Sequence, residues 1–222
     1  MAGGEGALKT VMAPISTLDL SRLPAPPELE RLMQSLAMLE VLIEPDWDFR
    51  FYSFYAGWSD GAGMGWRRDR SRLELFALFA DEGCFIKGYD PEAAVADVDP
   101  GLFYRQVPAE FADVAGEVAF TPEDVTFCLW RGPSDCAWQR AAVPAYAGGR
   151  DGSEALLSPL DGDPASYPRF VEARFGGAAD AATVAAVYAH RPLTPELAYA
   201  LGGMADWDDL VREAREIGYP VG

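Results

Sequence analysis

Residues 49–90 read FRFYSFYAGWSDGAGMGWRRDRSRLELFALFADEGCFIKGYD. The period of this stretch is two. Phe49, Phe51, Ser53 and Tyr55 alternate with Arg50, Tyr52 and Phe54, which puts aromatic rings on both faces of an extended chain. Leu73, Leu75, Ala77 and Phe79 alternate in the same way with Glu74, Phe76 and Leu78. Glycines at 57, 61, 63 and 65 surround a first turn, and Met64 to Arg68 forms the return strand. Arg67 to Arg72 reads as a basic hairpin tip, Asp81-Glu82-Gly83 as a tight turn, and Cys84 to Lys87 as a further strand. About three or four antiparallel strands are therefore expected here.

Downstream, Val125 to Trp130 and Cys136 to Ala142 flank the turn Arg131-Gly132-Pro133-Ser134-Asp135 and extend the same sheet. Residues 90–107 form a long acidic connection with one short helix, and a second short helix follows Pro108. Upstream, Leu29, Leu32, Met33, Leu36, Leu39 and Leu42 keep close to a three-four spacing, the mark of one helical stripe. Pro27 suits the first turn of that helix, and Glu44-Pro45 stops it.

Residues 1–24 are weakly patterned and read as a flexible arm. Beyond residue 152 the start and stop signals are helical. Ser153, Asp163-Pro164, Asp180, Thr194-Pro195 and Asp206 open segments; Gly176-Gly177, Gly202-Gly203 and Gly218 close them. The expected fold class is α+β: an N-terminal helix, a central antiparallel sheet mainly over 49–142, and a helical C-terminal third over 153–218, all in one domain covering 25–222.

The chain has 222 residues, half of them hydrophobic and 12% aromatic, enough to bury a sizeable core. Its formal net charge is −17. Such a balance argues against nucleic acid, whose phosphates demand cations, and against anionic membrane surfaces. It suits a solvated surface kept dispersed by self-repulsion, or an acidic face for a basic protein partner, whose encounter complementary charge would speed. No apolar run reaches the length of a membrane span, and the three cysteines make neither a CxxC pair nor a zinc pattern. A cytoplasmic protein with reduced thiols is expected.

Candidate chemistry is sparse. His190 is the sole histidine and sits at a helix end, where it can satisfy terminal carbonyls. Cys84 would serve as a nucleophile only with a base beside it, and His190 is the one imidazole that could play that part. The glycines at 61, 63 and 65 lack the spacing of a dinucleotide fingerprint, since Trp66 stands where its third glycine belongs. The acidic groups at Asp161-Gly162-Asp163 and Asp206, Asp208, Asp209 suit turns and helix caps better than a metal. Neither a metal nor a cofactor is implied. The binding candidates are Trp58, Trp66, Arg67, Arg68 and Arg70, because indoles and guanidinium groups are the side chains that most often carry contact energy.

The segments Gly83–Asp90, Thr126–Trp130 and Leu160–Pro164 resemble a family of bacterial proteins related to the immunity proteins encoded beside polymorphic toxins. That resemblance carries no functional residue with it. It implies a protein that occludes a toxin by contact. The sequence is therefore read as an acidic protein-binding module. The alternative is a small-ligand protein or enzyme with a pocket between sheet and helices, drawing on Cys84 or His190.

Overall fold

The computed structural model describes residues 13–59, 61–143, 150–167, 180–202 and 206–222. Helix α1 spans Pro26–Ile43. Two prolines open it, at positions whose N–H groups would have had no helical partner. Its stripe of leucines is buried. Glu44, extended before Pro45, ends it.

A one-turn 3-10 helix, Trp47–Phe49, then leads into a six-stranded sheet. Its strands are β1 (Tyr52–Ser59), β2 (Ala62–Arg68), β3 (Glu74–Ala80), β4 (Gly83–Tyr89), β5 (Phe127–Arg131) and β6 (Gln139–Arg140). The spatial order is the chain order, and every neighbouring pair is antiparallel. Register fixes two faces. Tyr52, Arg67, Leu75, Gly88 and Phe127 form one cross-strand row; Ser53, Trp66, Phe76, Lys87 and Cys128 form the next. A Cβ on Gly88 would lie 2.1 Å from the Phe127 ring, so glycine is what lets that ring cross the strand.

The first row faces α1, in the main core. The second faces away. Over β4 and β5 that outer face is covered by residues 90–126, which carry the short helices α2 (Gly101–Tyr104) and α3 (Ala112–Ala115). Phe103, Phe111 and Val125 pack there against Phe85, Cys128 and Trp130. The stretch expected as a connection is thus a second layer, made of turns too short to show a helical period.

The inner side is completed by α4 (Ser153–Leu157), α5 (Ala181–Tyr188), α6 (Pro195–Ala200) and α7 (Trp207–Ile217). Three caps follow the sequence signals. Asp180 accepts from Thr183 N at 2.8 Å, Thr194 from Leu197 N at 3.3 Å, and Asp206 from Asp208 N at 2.9 Å. Gly218 closes α7 at φ 76°. The helix expected after Asp163-Pro164, with its Gly176-Gly177 stop, extends outside the described residues.

Two expectations change. Residues 13–24 are not a free arm: Ile15 and Leu23 are buried, Thr17 N donates to Ser153 Oγ at 3.0 Å, and the Thr17 hydroxyl donates to Asp151. The last strand shrinks to Gln139–Arg140, because Trp138 turns inward and donates from Nε1 to the Pro24 carbonyl at 2.8 Å.

Candidate binding surface

The outer face of β1–β3 carries a continuous series of rings. Trp47 meets Trp66 at 6.3 Å, Trp66 stacks on Phe76 at 5.2 Å, Phe76 on Phe120 at 4.9 Å, and Phe120 on Trp58 at 6.0 Å. These are ordinary aromatic pair distances. Phe76 and Phe120 in the middle of the series are buried, Trp66 is half-buried, and the ends are exposed: Trp47 is 41% exposed and Trp58 37%.

Arg68 at the end of β2 and Arg70 in the β2–β3 connection complete the face. The Arg68 guanidinium lies between two indoles, 3.8 Å from the Trp47 ring centre and 4.4 Å from that of Trp66. Arg70 covers Phe49 at 4.5 Å, and Phe49 is itself 39% exposed. Cation–π contacts of this kind contribute about 0.5–1 kcal/mol each at exposed sites, enough to order the side chains. Exposed acids flank the rings in sequence: Asp46 and Asp48 on either side of Trp47, Glu117 and Glu123 on either side of Phe120.

A buried cation holds the centre of this surface. Lys87, 1% exposed, projects from β4 and donates from Nζ to the carbonyls of Phe120, Thr121 (2.9 Å) and Asp124 (2.6 Å). Glu74 lies 3.9 Å away. Burial pulls Lys87 down to about 8, while Glu74 and Asp124 oppose the shift. The clamp fixes the turn that lays Phe120 between Phe76 and Trp58. Beside it, Asp69 accepts from Ser71 N (2.8 Å) and Leu73 N (3.2 Å), which ties the turn where Arg72 takes φ 67°. Arg72 then pairs with Asp124 at 2.7 Å.

Of the residues singled out in the sequence, Trp58, Trp66, Arg68 and Arg70 share this face. Arg67 does not. The basic tip begins later than expected, because β2 continues through Arg68. Arg67 has the parity of Gly63 and Gly65, so it points toward α1 and is 7% exposed. It sits beside the Tyr52 hydroxyl, and its Nε and Nη1 have no hydrogen-bond partner among the described residues. Its charge tempers the rise that burial imposes on Tyr52.

Cys84 and His190 are not brought together into a pair by any hydrogen bond. Cys84 is fully buried on the α1 face, with its Sγ 3.9 Å from the Phe85 carbonyl, and burial pushes its thiol well up. His190 follows α5 at φ 57°. Its N–H goes to Val187 O and that of Arg191 to Ala186 O, the double bonding of a Schellman cap. The ring meets Ser35 Oγ at 3.1 Å and Tyr219 at 4.7 Å. Burial, then the Arg31 charge, lowers its pKa. Cys136 is exposed on the β5–β6 connection, away from buried Cys128.

Trp47, Phe49 and Phe120 were not legible as members of the surface. Trp47 and Phe49 belong to a single turn after α1, and Phe120 to one in the outer layer; neither turn has a period to read. Among the described residues no group of three or more His, Cys, Asp or Glu side chains is placed to hold a metal ion, and no helix is long and apolar enough to cross a membrane. No protein-family model, curated protein or solved structure matches this chain.

Proposed function

We propose that this chain is a cytosolic protein-binding module of the immunity type, which acts by covering a basic partner such as a toxin rather than by turnover. One observation carries the reading: a rigid ring series ends in exposed Trp47 and Trp58, with Phe49 alongside and acidic residues flanking them. Large indoles backed by a packed core lose little entropy on binding and make the strongest contact residues. Asp46, Asp48, Glu117 and Glu123 supply sign complementarity to a basic surface, and the net charge of −17 adds long-range steering. Arg68 and Arg70 then serve chiefly to hold the rings flat.

The test is rescue. Products of adjacent genes are expressed in bacteria with the wild-type chain or with Trp47→Ala/Trp58→Ala. Protection from a toxic basic product by the wild type, lost in the double variant while its melting temperature holds, supports the reading. Failure of the wild type to bind or neutralise any of them removes it.

A further inference from the structure

At one end of the sheet the β1–β2, β3–β4 and β5–β6 turns and the start of α1 enclose a cleft of about 540 Å³. That volume falls within the range of small-ligand sites. Glu30, from the second turn of α1, lines it. Its carboxylate is half-buried and forms no hydrogen bond or ion pair with any described residue. Room for it is made by Gly63: a Cβ there would lie 3.3 Å from Glu30 Oε1 and 2.9 Å from the Phe54 ring. Among the described residues, the remaining charged lining groups are Asp81, Asp135 and Arg131. Arg131 is already occupied, since Nε donates to Asp135 O at 3.2 Å and Nη2 to Cys136 O at 3.4 Å. Asp135 Oδ2 takes Gly132 N at 2.8 Å. Pro26 and Pro27, which also line the cleft, have no N–H to offer an anion.

The walls thus favour a positive guest. We propose that this cleft binds an alkylammonium or alkylguanidinium group, with Glu30 as its counter-ion. An acid left without a partner costs stability where it stands, and a site that must accept a cation is a reason for such a cost. Burial of Glu30 raises its pKa, as unpaired desolvation must, and its charge is felt by the Cys84 thiol beneath. The proposal is independent of the aromatic face, which lies elsewhere on the sheet.

Titration calorimetry near neutral pH tests it with two probes: agmatine, a free alkylguanidine, and a blocked glycine peptide carrying one arginine. Saturable binding of agmatine alone identifies a small-molecule site; binding of the peptide identifies a site for a partner's side chain. Either should weaken about tenfold in Glu30→Gln, the loss expected for a charged hydrogen bond, and should fade in the wild type as pH falls through the raised Glu30 range. Trp58→Ala should leave both titrations unchanged, so failure here and failure of the protein-binding reading are told apart. Glu30→Gln should melt no lower than the wild type. Absence of saturable binding by both probes, equal affinity in Glu30→Gln, or a marked fall in its melting temperature would overturn the proposal.

Discussion

The Lys87 ammonium donates to the Asp124 carbonyl at 2.6 Å, so a charge inside the sheet layer replaces the backbone bonds that residues 118–124 do not make with a strand. Its donors also reach Phe120 and Thr121. Lys87→Met keeps the stem and removes the head, leaving these carbonyls without their donor. We expect a loss of about 2–4 kcal/mol, read as a lower urea midpoint. Trp58 fluorescence should change with it, because Phe120 loses its fixed place beside that ring.

The pH dependence of stability follows from burial. Tyr52, Tyr104, Tyr167, Tyr188 and Tyr219 are all raised above 10.0 in the fold. Above pH 10 the unfolded chain releases phenolic protons that the folded chain keeps, so stability falls as pH rises. Lys87 has the opposite sign. Held at about 8 against 10.5 unfolded, it lets the folded state shed a proton first, and its contribution rises between those values. His190, lowered from 6.5, stays neutral in the fold while the unfolded chain protonates, so stability also falls as pH drops below 6.5. Urea midpoints across pH 5–11 check all three, with Lys87→Met abolishing the rise and His190→Asn the acid loss.

Arg50 is buried and bonds to the Glu44 carbonyl at 2.8 Å, the Pro45 carbonyl at 3.0 Å and both carboxylate oxygens of Glu213. Glu213→Ala strands most of that charge. A penalty of about 2–3 kcal/mol is expected, below that of a fully buried pair because the two carbonyls remain. Thermal unfolding measures it, and Arg50→Met/Glu213→Leu should recover much of the loss.

Thiol chemistry separates the three cysteines. Cys84 and Cys128 are buried and pushed up by that burial, whereas Cys136 is exposed. Iodoacetamide should modify Cys136 alone in the native protein and every cysteine after denaturation. Rapid native labelling of Cys84 would instead show an activated thiol and revive a covalent chemistry for this chain.

Much of the scaffold was readable from period alone. The alternation of residues 51–55 and 73–79 marks β1 and β3, and the leucine stripe marks α1, because each pattern repeats several times along its element, although the alternation read from Phe49 began the first strand three residues before Tyr52. Arg67 was misplaced because a run of arginines resembles a solvated tip. Only the parity it shares with Gly63 and Gly65, together with Asp69 as the turn-forming residue, reveals that the strand carries on through it. The short helices of 90–126 were legible, but their role as an outer layer stayed hidden because their rings find their partners across long sequence distances. The binding face was half legible: Trp58, Trp66, Arg68 and Arg70 lie on or beside strands, while Trp47 and Phe120 reach them from turns.

The Arg50–Glu213 contact joins the threshold of the first strand to the final helix. During synthesis the hairpins can therefore zip up in the order in which they leave the ribosome, each onto its predecessor. The contacts of α7 with β1, however, cannot form until residues 207–217 have emerged. Truncation before α7 should consequently yield a molecule that has built its sheet yet sticks to its own copies through the inner side of β1 that α7 would have covered.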